Sequence, residues 1–135
     1  MKKSGIQREV LNELISIFYP EGIEEKRDWM GYPITKKNSP TYHHIEKACE
    51  LRERYESDEA TLENGAILGK KSHQILNTIE QKDPELYECW EYMFYVINNM
   101  GIYPIDDVWA MIIHLKKATQ EVLYPNHVAK KTLHT

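Results

Sequence analysis

Leu62-Glu63-Asn64-Gly65-Ala66-Ile67-Leu68-Gly69-Lys70-Lys71-Ser72-His73-Gln74-Ile75-Leu76-Asn77-Thr78-Ile79 is the stretch in which the apolar pattern changes period. Leu62 to Leu68 is an apolar cluster containing the turn-prone pair Asn64-Gly65, which predicts a short strand. After Leu68-Gly69 the apolar positions move to Ile75, Leu76 and Ile79, a helical spacing that Asp83-Pro84 closes. Upstream, Thr41 to Ile45 is a β-leaning pentad between Pro40 and a charged run, and it supplies a partner strand. The order strand, strand, helix is therefore written into residues 41–79.

Outward from this unit the chain is helical. Val10, Leu11, Leu14, Ile15, Ile17 and Phe18 form an apolar stripe ended by Pro20 and Gly22. From Glu21 to Pro40 periodicity vanishes and Gly, Pro, Asn and Ser punctuate a turn-rich connector, in which Tyr32 to Thr35 is a candidate extended piece. Glu46 to Glu59 is dense in both charge signs and reads as a solvated excursion. Pro84 begins a helix carrying Leu86, Cys89, Trp90, Met93, Phe94 and Ile97 and stopped by Gly101. Pro104 opens a last helix whose apolar face is Ile105, Val108, Trp109, Ile112, Ile113 and Leu115, with a tail from Pro125. The expectation is an α-rich α+β fold of one domain, 1–135, with helical flanks at 5–19 and 84–123.

Composition narrows the function. With 135 residues, 41% hydrophobic and 10% aromatic, the chain is one domain's worth of sequence with enough apolar surface for a core. Lys and Arg total 17 against 21 Asp and Glu, a net charge of −4, so any nucleic-acid site must be a local patch. Cys49 and Cys89 are too few for a four-thiolate zinc site, and a reducing compartment is expected. Ile6 to Tyr19 is broken by Arg8, Glu9 and Glu13, so it is neither a secretory apolar core nor a membrane span, and a cytoplasmic location is expected.

Six histidines, at 43, 44, 73, 114, 127 and 134, are the candidate chemistry. His127 and His134 lie in the polar tail, and His114 reads as a hydrogen-bonded helical residue without a role. Tyr87, Trp90, Tyr92, Phe94 and Tyr95 follow helical spacing among acids and read as core with surface tyrosines, not as a base-stacking platform. His43 and His44 are adjacent on a strand, so they point to opposite faces, and only a site that wraps the strand end uses both. His73 and Asn77 are four apart and share one helical face, where an imidazole and an amide oxygen can meet one metal. Nitrogen and amide oxygen without thiolate favours a catalytic divalent ion with open positions over a closed structural zinc.

Tyr42-His43-His44-Ile45, then Leu62 to Leu68 with Asn64 entering the second strand, then His73 and Asn77, resembles the HNH endonuclease motif. That motif is the ββα-metal finger of phage HNH nucleases and nuclease colicins. The resemblance spans Trp29 to Thr78 and implies a metal-dependent hydrolase of DNA phosphodiester bonds. It implies that His43, His73 and Asn77 hold the metal, that His44 is the general base, and that Asn64 braces the hairpin and orients that base. The last helix position is often His in the family; here it is Asn77. An imidazole ordinarily titrates near pH 6.5, low enough to take a proton from water at neutral pH. The implied cofactor is Mg²⁺, and a site rich in imidazole also suits Mn²⁺, Ni²⁺ or Zn²⁺. Small stand-alone members of the family are typical of phages and mobile elements.

Two departures stand out. Many relatives staple the finger with CxxC thiolates and a second zinc, which Cys49 and Cys89 cannot supply, so helical packing must hold the connector. The glycine-rich stretch that usually precedes the asparagine is replaced by the charged run Cys49 to Glu59. Residues 26–71 carry nine Lys or Arg against eight Asp or Glu, leaving eight against thirteen elsewhere, so charge is least unfavourable to DNA around the motif. Lys36, Lys37, Lys47, Lys70 and Lys71 are the candidate phosphate contacts, each weighed against an ordinary solvated lysine. Weak autonomous DNA affinity is expected, with targeting left to a protein partner, to oligomerisation that concentrates the basic faces, or to DNA shape read at the hairpin. The alternatives are a catalytically inactive HNH-fold module that binds nucleic acid or protein, and an all-helical interaction protein that leaves the motif spacing unexplained.

Overall fold

The strand-strand-helix unit forms with no loop before the helix. The computed structural model describes residues 3–46, 60–102 and 106–125. Lys47, the charged run from Cys49 to Glu59, Pro104 and Ile105, and the tail histidines His127 and His134 lie outside the described residues. Strand β1 (Pro40–His44) pairs antiparallel with β2 (Gly65–Gly69), with Thr41 opposite Leu68 and His43 opposite Ala66. Gly69 ends β2 and also stands as the residue before helix α2 (Lys70–Lys82). The second strand starts at Gly65, not Leu62, because residues 61–64 close the hairpin neck. There the Tyr42 hydroxyl donates to Thr61 O at 2.9 Å and accepts from Thr61 N at 3.0 Å.

Helices complete an α+β architecture. Helix α1 (Lys3–Phe18) precedes the hairpin, and α3 (Pro84–Met100) and α4 (Asp106–Leu123) follow α2. Asp83 caps α3 by accepting from Leu86 N at 3.2 Å, with Pro84 in the first turn, where its missing N–H costs nothing. Helix α1 covers one face of the hairpin: a Cβ at Gly65 would collide with the side chains of Tyr42 and Leu14. Only glycine lets that helix come so close. The other face meets α2 and α3, and Phe94 of α3 lies against His43.

Trp29 links the layers. Fully buried, it packs edge-on against Phe18 at 4.8 Å and lies 6.5 Å from Phe94, which stacks on Trp90 at 5.8 Å. Trp90 Nε1 donates to Thr119 Oγ1 at 2.8 Å, and that hydroxyl donates to Leu115 O, which ties α3 to α4 and leaves the buried indole N–H satisfied. The aromatic stripe of α3 divides as its spacing predicts: Tyr87, Trp90 and Phe94 are buried, whereas Tyr92 and Tyr95 are exposed. The apolar face of α4 is narrower than expected. Val108 and Ile112 are buried, but Ile113 and His114 face outward, and His114 lines an apolar groove between α3 and α4 with Met111 and Tyr92. Ile17 of α1 is likewise exposed. No helix among the described residues is long and apolar enough to cross a membrane.

The connector is held by packing, as expected, and by two polar braces that were not. Asp28 Oδ1 accepts from Met30 N and Tyr32 N, both at 3.0 Å, while Oδ2 accepts from Gly69 N at 2.8 Å. Asn38 Oδ1 accepts from Lys71 N at 2.8 Å and Ser72 N at 3.4 Å, capping α2 from outside the helix. Tyr32 to Thr35 is not a strand; only isolated bridges join Arg27 to Pro33 and Thr35 to Asn38.

Candidate functional site

Alternation along β1 sets the site. Thr41 and His43 point towards α2 and α3, whereas Tyr42 and His44 point towards α1. His43 is 6% exposed, and its ring stands perpendicular to that of His73 on α2, with centroids 5.0 Å apart. His43 Nδ1 lies 3.4 Å from His73 Nε2.

The orientation of His73 follows from its other nitrogen. The Thr41 hydroxyl donates its single hydrogen to Leu68 O at 2.7 Å, so its oxygen is left to accept from His73 Nδ1 at 3.3 Å. His73 thus carries its proton on Nδ1 and turns the Nε2 lone pair towards His43. A backbone carbonyl that fixes an imidazole tautomer through a hydroxyl is the type of outer support that metal-ligating histidines use. Two imidazole nitrogens bound tetrahedrally to one ion at about 2.0–2.1 Å stand about 3.3 Å apart. The separation of the pair is therefore close to that of two imidazole ligands on one divalent ion. His43 Nε2 is buried with no hydrogen-bond partner.

Both rings are kept neutral. Burial, then the neighbouring His73 and His44, push His43 down to about 3. Burial, then His44, also lowers His73. A neutral imidazole is the form that offers a lone pair to a metal.

The other sequence-derived residues are placed differently. His44 is half-buried at the end of β1, edge-on to Tyr42 at 5.0 Å, and so on the opposite face of the hairpin from the imidazole pair. Asn64 braces the neck: its Oδ1 accepts from Glu46 N at 2.8 Å and its Nδ2 donates to Glu46 O at 3.0 Å. Asn77 is exposed one turn beyond His73, and its side chain makes no hydrogen bond among the described residues. Among the described residues no three His, Cys, Asp or Glu side chains gather at one point.

Lys36, Lys37, Lys70 and Lys71 are exposed. Asn38 binds Lys71 N, and Ser39 O accepts from Lys70 N at 2.8 Å, so the Thr35–Asn38 turn and the start of α2 bring these four lysines into one neighbourhood. Sequence reasoning missed Thr41, although its position two before His43 put it on the same strand face. It also missed Asp28, which no local pattern marks. Neither a family model, nor a curated protein, nor a solved structure matches the chain.

Proposed function

We propose that this protein is a metal-dependent endonuclease of the HNH type that hydrolyses DNA phosphodiester bonds. The observation that carries the reading is the 3.4 Å approach of His43 Nδ1 to His73 Nε2 across a hairpin and its following helix, with His73 oriented by Thr41. In this reading His43 and His73 hold a divalent ion and Asn77 completes the set from the next turn. The bound ion supplies charge stabilisation at the scissile phosphate. His44, at the open end of β1, takes a proton from the attacking water. Asn64 fixes the hairpin neck beside it, and the lysines at 36, 37, 70 and 71 hold flanking phosphates. Mg²⁺ is the working ion, with Mn²⁺, Ni²⁺ and Zn²⁺ as competitors for the imidazoles.

Incubation of supercoiled plasmid with the protein and Mg²⁺, Mn²⁺ or Ni²⁺ tests this. Nicking that requires the metal, stops with EDTA and is lost in His44→Ala supports it; intact plasmid in every arm refutes it. A catalytically silent module that binds nucleic acid or protein is the second reading, favoured by the position of His44 on the α1 side of the hairpin, away from the imidazole pair. That reading expects metal binding without nicking.

A further inference from the structure

The connector and α4 bring together two cations that the sequence keeps far apart. Arg27 Nη1 donates to Gly31 O at 2.9 Å, and Lys116 Nζ donates to the same oxygen at 3.0 Å. The two charged groups therefore stand within about 6 Å of each other. One carbonyl dipole does not neutralise two full charges. Neither cation pairs with a carboxylate among the described residues. The acid that acts on Lys116 is Asp28, and its oxygens are taken by the N–H groups of Met30, Tyr32 and Gly69. Burial, then Arg27, lower Lys116 from the usual ammonium range, the direction expected where a positive charge lacks its counterion.

The arrangement is built, not incidental. Lys116 is half-buried, its ammonium 4.5 Å above the Tyr32 ring, and the Tyr32 hydroxyl accepts from Gln120 Nε2 at 2.7 Å. Gly31 takes a positive φ of 85°, and a Cβ there would press on Ile112 at 3.1 Å. The close approach of the connector to α4, and with it the convergence of both cations, thus depends on glycine. Arg27, Lys116, Gly31 and Trp109 line an open cleft of about 420 Å³. A guanidinium has five N–H donors and an ammonium three, so most donors of the pair stay free for a ligand with several acceptor oxygens.

We propose that Arg27 and Lys116 form a phosphate-binding cleft that takes a backbone phosphodiester of DNA, separate from the lysines around the start of α2. The source of the phosphate rests on the nucleic-acid reading above. Asp28 ties the turn of the cleft to Gly69, immediately before α2, so a strand held here is registered against the helix that carries His73.

The test is fluorescence anisotropy of a labelled DNA duplex in EDTA across a salt series, so that binding is read without cleavage. The full chain is compared with Lys116→Met, Arg27→Gln, the double variant and Lys116→Arg, with circular dichroism checking that each is folded. The double variant is expected to weaken binding about tenfold at low salt and to reduce the slope of log affinity against log salt by about 1. Lys116→Arg is expected to keep both. No measurable binding by the unaltered chain, or an unchanged slope in the folded double variant, overturns the proposal. So does binding of inorganic phosphate that the double variant loses while its DNA slope stays unchanged, since the ligand is then a small phosphate. Plasmid left intact while the slope falls removes the nuclease reading and leaves the cleft standing.

Discussion

His43 and His44 are the same side chain at neighbouring positions of one short strand, yet the fold treats them in opposite ways. His43 is packed against Phe94 and faces His73, whose far nitrogen is tied to Thr41. His44 is half-buried at the strand end beside Tyr42. The pleat alone causes the split, because successive residues of a strand face opposite ways. Under the proposed function the two positions would take different tasks: a desolvated, neutral imidazole suits permanent ligation, and one at the strand end suits proton transfer. A one-residue slip of register would exchange them, and Asn64 with Tyr42 pins the register by closing the neck.

Removing a histidine from each side of the hairpin in turn separates the two proposed roles. His44→Ala is expected to cut plasmid nicking by about 10²- to 10⁴-fold, the usual contribution of a general base, while calorimetric affinity for Mn²⁺ or Ni²⁺ stays near that of the unaltered protein. His73→Ala is expected to lose metal affinity together with activity, and helix content should hold because the ring lies outside the apolar core. Equal loss of metal binding in both variants would end the division of labour.

Thr41→Val tests the support of His73, since it keeps the shape of the side chain and removes the hydroxyl that accepts from His73 Nδ1 and donates to Leu68 O. Metal affinity is expected to fall by about 10- to 100-fold, as when other outer-shell partners are removed. Nicking by this variant should recover when excess metal is supplied. Unchanged affinity in calorimetry would show that the ring is held by packing alone.

Acid exposes the cost of burying His43. Its imidazole titrates near 6.5 in the unfolded chain and is pushed down to about 3 in the fold. Between those values the unfolded chain binds the extra proton. The stability contribution is thus complete above about pH 6.5 and is lost as pH falls towards 3. Thermal melts of the metal-free protein should show Tm declining through this window, with the limiting slope from one group at about 1.4 kcal/mol per pH unit. His43→Gln should flatten that part of the profile; an equally steep decline would assign the loss to other groups.

Much of this was legible in the chain. The change of period after Leu68 marks the step from strand to helix, whereas Asn64-Gly65, read as part of the return strand, straddles its start, since the strand begins at Gly65. What escaped was contact between distant segments. Asp28 looks like any surface acid until the connector folds over the β2–α2 junction and buries it, where burial raises its carboxyl against the opposing pull of three backbone N–H groups. Arg27 and Lys116 belong to separate elements, and they meet because the Gly31 turn comes close to α4 and offers both the same carbonyl. Ile113 reads as part of the buried face of α4 because it is apolar, yet it is exposed while Val108 and Ile112 are buried. Periodicity reports which residues share a face, and it is silent on which faces meet.

The smallest effect is expected at the hairpin neck. Asn64 makes two hydrogen bonds to the backbone of Glu46, and each contributes about 0.5–1.5 kcal/mol net. Asn64→Ala removes both, yet Tyr42 still grips Thr61 and Ile45 N still donates to Asn64 O at 2.8 Å, so the hairpin is expected to remain paired. Tm should fall by only a few degrees. Nicking should drop by far less than in His44→Ala, because His44, the proposed base, survives and only its footing loosens. Asn64→Asp separates the two bonds: a carboxylate keeps the acceptor for Glu46 N and loses the donor to Glu46 O, placing negative charge against a carbonyl. Both variants lack the donor, so a smaller loss in the Asp variant than in the Ala variant would mean that the acceptor half of the brace sets the strand end on which His44 sits; an equal loss would give that task to the donor, and a larger loss would report the charge placed against the Glu46 carbonyl.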